Sequence, residues 1–169
     1  MTGYASKTEV PIERTRSQIE QLVVAKGAGQ FMSAANFESG RAIVGWTSGG
    51  RMVRLAVPLP SPKEDRFIHR RTRHGFSWRT LPTSRQRELW EQACRSRWRA
   101  VLLIVKAKFE AIDAGVSTFE REFLADTVMA DGQTIGEWVA PQLESMYATG
   151  RMPLLLPGLG ESSANGGRS

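Results

Sequence analysis

The chain has 169 residues, 41% of them hydrophobic, and a formal net charge of +6. That length supplies one core rather than several domains, and no run of about 18 apolar residues is present to make a membrane-spanning helix. The opening MTGYASKTEVPIERTR lacks the apolar centre of a signal peptide, and Cys94, the only cysteine, excludes an internal disulfide, so a soluble protein of a reducing cytoplasm is expected.

The net charge conceals an asymmetry. Residues 1–65 carry 8 basic and 6 acidic side chains, residues 66–109 carry 12 and 2, and residues 110–169 carry 3 and 9. Arginine accounts for 18 of the 23 basic residues, a bias toward bidentate phosphate contacts and stacking on rings. A basic segment followed by an acidic one either meets a polyanion or mates head to tail with a second copy.

In chain order, Thr8, Val10 and Ile12 alternate with polar residues and predict a short extended segment, which Pro11 keeps out of a sheet interior. Ile19, Leu22 and Val23 then recur at helical spacing and predict a helix over 13–26 that stops at Gly27. Three strands follow: Phe31, Ser33, Ala35 and Phe37, then Ala42, Val44 and Trp46, then Val53, Leu55 and Val57. Ser48, Gly49 and Gly50 supply the tight turn of an antiparallel meander. Arg54 has the opposite parity to Val53 and Leu55 and is expected on the solvated face.

Pro58, Pro60 and Pro62 end the sheet, and residues 61–82 show no apolar period. A connection of that length is usually functional or disordered. Here Arg66, Arg70, Arg71, Arg73 and Arg79 interleave with Phe67, Phe76 and Trp78, with His69 and His74 between them. Arginines neutralise phosphates and rings stack on unpaired bases, so the pattern suits a single strand better than a duplex groove. A solvated basic loop with a ring or two tucked into the core is the plainer reading.

Thr83 to Gln86 has the form of a capping box, and Trp90, Cys94, Trp98, Val101, Val105, Phe109 and Ile112 predict a long core helix. Burial is expected for Trp90, Cys94 and Trp98, which leaves Arg95 and Arg99 as the better contact residues on this helix. Ser117–Glu120 and Thr134–Glu137 read as two further capping boxes, and Pro141 is expected to break or kink the last helix. MPLLLPGLG, from Met152, is apolar but too short to span a membrane, and residues 158–169 read as a disordered tail.

Catalytic signatures are missing. Two histidines and one cysteine do not make an ordinary zinc site, and neither histidine has an evident carboxylate to orient it. Asp126, Asp131, Glu137 and Glu144 match no EF-hand or other metal signature, so solvated carboxylates are expected, with no metal and no cofactor.

The segments VPIERTRSQIEQL, VPLP, WEQACRSRWRAVLLIVKAKFEAI, FEREFLADTV, DGQTIGEW and YATGRMPLLLPG resemble those of a family of small tailed-bacteriophage and prophage proteins without an assigned activity. The resemblance covers most of residues 4–158 and implies the cytoplasm of an infected bacterium. The α-β-β-β-α order is also similar, as an order only, to that of double-stranded RNA-binding domains and of the β-β-β-α cores of single-strand annealing proteins, although the RNA-binding loop signature is missing.

The expected architecture is one α+β domain in β-α-β-β-β-α order: a helix and meander over 1–60, a basic aromatic loop over 61–82, and a helical half over 83–157 packed on a three- or four-stranded antiparallel sheet. The expected function is non-catalytic binding of nucleic acid, single-stranded DNA foremost, by a self-assembling coating or annealing protein in recombination or replication. Arg66, Arg70, Arg71, Arg73, Arg79, Arg95 and Arg99 would meet phosphates and Phe76 and Trp78 would meet bases. An inhibitor gripping an acidic host protein is the alternative, and a metal-dependent enzyme of nucleic acid a further one.

Overall fold

Pro11 sets the first boundary. With φ at −57° and ψ at 150° it is the N-cap of α1, Ile12–Ala25, in which Thr15, Ile19 and Val23 are buried at four-residue spacing. The structure, a computed structural model, describes residues 10–71 and 78–150. Thr8 therefore lies outside the described residues. Ile12 is helical rather than extended, because proline is well suited to leading a chain into a helix.

The meander forms as the alternation predicts: β1 is Gln30–Asn36, β2 Arg41–Ser48 and β3 Arg51–Pro58, antiparallel in the order β1-β2-β3. Gly49 and Gly50, at φ 55° and 75°, make the two-residue turn that lets Ser48 pair with Arg51. One sheet face buries Ala42, Val44, Trp46, Val53 and Val57 beneath α1 and the long helix α3, Thr83–Asp113. The other carries Met32, Ile43, Met52, Arg54 and Ala56 around Gly45, where a Cβ would come within 3.2 Å of both methionine side chains.

Between Pro58 and Thr83 the described part of the chain is not all loop. It contains a helical turn, α2 (Asp65–Ile68), and a two-stranded ribbon, β4 (His69–Arg71) with β5 (Trp78–Thr80). Phe67 is buried against α3, and the Leu81 amide donates to the Ile68 carbonyl at 2.8 Å, closing the base of the ribbon. Helix α3 (Thr83–Asp113) is 31 residues long, roughly 46 Å at the usual rise, and buries Cys94, Trp98, Leu102, Val105 and Phe109. Its expected capping box does not form: Pro82 is the N-cap, and the Gln86 side chain donates to Leu81 O at 2.7 Å. In α4 (Phe119–Phe123) the cap is Thr118 rather than Ser117.

Phe123 packs edge-on to Trp46 at 5.3 Å and against Phe109 at the same distance. The chain then runs along the outer edge of β3, where Arg54 N donates to Asp126 O and Val128 N to Met52 O, both at 2.8 Å. Thr134 and Glu137 form the expected capping box of α5 (Ile135–Thr149), which continues through Pro141 instead of breaking. Arg54 is engaged rather than solvated: it donates to Gly132 O at 2.9 Å and to Glu137 Oε2 at 2.6 Å. Residues 151–169, including the MPLLLPGLG segment, lie outside the described residues. Among the described residues no helix is long and apolar enough to cross a membrane.

Among the described residues no strand pairs with the outer side of β1, and that edge is guarded. Because Arg54 N and Met52 O point outward on β3, the register directs the main-chain groups of Phe31, Ser33 and Ala35 outward on β1. Arg16 covers the middle of that row. It donates to Ser33 Oγ at 2.8 Å and Ser33 O at 3.1 Å, and its guanidinium lies 5.8 Å from the Trp98 ring centroid. A charge on an edge strand deters pairing with another chain. Arg16→Met should lower stability in denaturant titrations by about 1–2 kcal/mol through the lost charged hydrogen bonds, and light scattering should find larger assemblies than wild type at equal concentration.

Glu137 yields a pH prediction. Hydrogen bonding to the Thr134 backbone, then to its hydroxyl, with Arg54 beside it, holds the Glu137 carboxyl below the usual carboxylate range. A lowered folded-state pKa contributes stability that is present above the ordinary value and is lost as pH falls through the folded one. Glu137→Gln keeps a capping side chain without the charge. The Tm difference between wild type and Glu137→Gln should be present near neutrality and close as pH falls below the ordinary glutamate pKa of about 4.3.

Candidate nucleic-acid interface

A two-stranded ribbon sorts its side chains by register. His69 pairs with Thr80, Arg70 with Arg79 and Arg71 with Trp78, and directly opposite residues share a face. Arg70 and Arg79 therefore project together from one face, and His69, Arg71, Trp78 and Thr80 from the other. The 3.4 Å approach of Thr80 Oγ1 to His69 Nδ1 agrees with that assignment. Since the Leu81–Ile68 bond sets the alternation, Arg70 and Arg79 occupy a hydrogen-bonded pair, with Cα atoms about 5.5 Å apart, and Arg71 and Trp78 the closer kind.

The ribbon is both exposed and unneutralised. Arg70, Arg71 and Arg79 are exposed, and Trp78 retains 70% of its accessible surface, an unusual cost in water for so large an apolar ring. Among the described residues no carboxylate forms an ion pair with these three arginines. Four carboxylates of the acidic C-terminal half are engaged elsewhere: Glu120 with Arg51 at 2.8 Å, Asp126 with Lys108 at 2.8 Å, Glu137 with Arg54, and Asp113 with Lys26. Like charges placed directly opposite repel, so an anion between Arg70 and Arg79 would relieve a strain that the fold leaves standing.

The other expected contact residues are distributed differently. Arg66 lies in α2, its Nε 2.6 Å from Glu64 Oε2 and its guanidinium 4.6 Å from the Phe67 ring centroid. Arg73 and Phe76 fall outside the described residues. Arg95 is half-buried on α3, donating to Gln92 Oε1 at 2.7 and 3.2 Å, with Glu91 3.9 Å away. Arg99 donates to Gln18 Oε1 at 2.9 Å and so fastens α1 to α3. Both have acceptors within the fold, and the described ribbon brings together only Arg70, Arg71, Trp78 and Arg79 of the expected set. The pairing of His69 with Thr80 was not read from the sequence, because arginine at both parities conceals a period of two.

The two α3 tryptophans separate. Trp98 is fully buried, whereas Trp90 is half-buried, donating from Nε1 to Pro60 O at 2.8 Å and packing edge-on to Phe37. Trp90 and Phe37 line a groove of about 400 Å³ with Ile12, Glu13, Glu91 and Arg95. Cys94 lies beneath it. Desolvation, reinforced by Glu91, pushes the Cys94 thiol up to about 11, so it stays protonated and a poor nucleophile near neutrality. Asp131 accepts from the Gln133 amide in a local turn, and among the described residues no group of three His, Cys, Asp or Glu side chains could hold a metal ion.

Iodoacetamide should modify Cys94 in the folded protein at least about a hundredfold more slowly than in denatured protein, as expected for a buried thiol of raised pKa; mass spectrometry over a time course checks this. No protein-family model matches the chain, and comparison with curated proteins and with solved structures finds no match.

Proposed function

We propose that the protein binds nucleic acid without catalysing a reaction on it, favouring single strands, and that the β4–β5 ribbon is the contact. The observation that carries this reading is Trp78, 70% exposed and directly opposite Arg71, which is exposed and pairs with no carboxylate among the described residues. An exposed ring is a platform for any unpaired base, and a guanidinium at its side meets the adjoining phosphate. Duplex stacking hides those base faces, which is why the preference is for single strands. The bias toward arginine suits phosphate, and charge concentrated on one projecting element raises the rate of encounter with a polyanion.

A catalytic role finds less support. Asp126 and Glu137, the carboxylates a metal-dependent enzyme would recruit, hold Lys108 and Arg54. The setting we propose is the cytoplasm of a bacterium infected by a tailed phage, as the family resemblance implies, with recombination or replication as the process. Self-assembly along a bound strand belongs to the same proposal. The apolar side chains left exposed at Met32 on the sheet and Leu143 and Tyr147 on α5 are surfaces for it.

Binding of a labelled single-stranded oligonucleotide across a salt series tests the reading. Trp78→Ala should weaken binding about tenfold, the loss of one stacked base. Arg71→Ala should reduce the slope of log K against log salt by about 0.7, the loss of one phosphate contact. No binding at low salt would overturn the proposal and point instead to an acidic protein as the partner of the ribbon.

A further inference from the structure

The ribbon has two faces, and both are equipped. His69, Arg71, Trp78 and Thr80 supply a ring, a guanidinium and two hydrogen-bonding groups on one side, which is sufficient for one unpaired strand. Arg70 and Arg79 stand on the opposite side, where that strand does not reach. A ribbon is one backbone thick, and side chains on its two faces are separated by a distance on the order of 10 Å. One strand lying along the ribbon uses one face. Two strands parting around it use both.

We infer, building on the nucleic-acid reading above, that the ribbon is a wedge for the junction between duplex and single strands. Trp78 stacks on the last base pair or the first unpaired base of one strand, with Arg71 on its phosphate. Arg70 and Arg79 clamp a phosphate of the other strand as it leaves along the opposite face. The cross-strand placement of these two arginines matches the task, because a shared phosphate converts a repelling pair into a bridged one. The ribbon is also anchored for it. Its base is closed by the Leu81–Ile68 bond and fixed by buried Phe67, and it leads within three residues into α3, whose first turn carries no acidic residue. On that helix Arg85 is paired with Glu88 at 2.7 Å, which leaves exposed Arg87 as the next positive charge along the chain for the departing strand.

The experiment compares three labelled DNAs of matched sequence by fluorescence anisotropy at one salt concentration: a single strand, a blunt duplex and a forked duplex with two unpaired arms. The fork should bind about tenfold more tightly than the single strand. Replacing both Arg70→Ala and Arg79→Ala should lower fork affinity by about tenfold more than single-strand affinity, so that the fork preference is lost. The pair Arg70→Lys and Arg79→Lys should retain part of the fork preference, since the charge remains but the bidentate geometry does not. Trp78→Ala should weaken both substrates. Equal affinity of wild type for fork and single strand, or equal losses on both in the double alanine variant, would overturn the wedge and leave single-strand binding standing. Failure to bind any of the three DNAs would overturn both.

Discussion

The arrangement depends on one burial event, the packing of α3 against the inner face of the meander. Trp98, Val105 and Phe109 on the helix meet Val44, Trp46 and Val53 on the sheet, and Phe123 closes the group from below. This packing has a cost. The indole N–H groups of Trp46 and Trp98 find no acceptor among the described residues, a penalty of about 1–3 kcal/mol each. An aromatic side chain removes 150–250 Å² from water, which at roughly 25 cal/mol per Å² is about 4–6 kcal/mol, so burial wins at both positions. The same packing places α1 beside α3, where Arg99 meets Gln18, and brings Arg16 to the edge of β1.

The second constraint is electrostatic. A chain that is strongly basic in its middle and acidic toward its end could neutralise the one with the other. It does so only in part. Asp113, Glu120, Asp126 and Glu137 of the C-terminal half meet the sheet arginines and a lysine each of α3 and of the end of α1, because 113–137 wraps the edge of β3 and the end of α3. The ribbon projects at the other end of α3, beyond their reach. Its positive charge is thus preserved by topology rather than by composition, and the ring beside it is left in water for the same reason. Head-to-tail mating of the basic and acidic segments has correspondingly fewer free carboxylates to work with.

Much of the fold was legible because hydrophobic period and turn chemistry agree locally. The helix from Ile12, the three strands, the Gly49–Gly50 turn, the long helix and the Thr134–Glu137 box each follow from a pattern confined to a few residues. Pro141 stands at the seventh position of α5, and the helix continues through it to Thr149, so the expected break is not seen. The Thr83–Gln86 box was misjudged because Pro82 takes the cap position and Gln86 bonds to Leu81 instead. The ribbon was hidden because its strands carry polar residues at both parities, so nothing in their hydropathy alternates.

What the sequence by itself determined is the inventory and its local order: one basic, arginine-rich segment, a set of apolar stripes of fixed period, and the turns between them. These depend on interactions a few residues apart, which sequence spacing records. What only the tertiary structure decided is which charges remain free and which residues share a face. Arg54, Arg95 and Arg99 look as available in sequence as Arg70 and Arg79, yet the former meet Glu137, Gln92 and Gln18 while the latter face each other across a ribbon. That outcome depends on partners distant along the chain and on strand register, and neither is encoded in the identity of an arginine or its immediate neighbours.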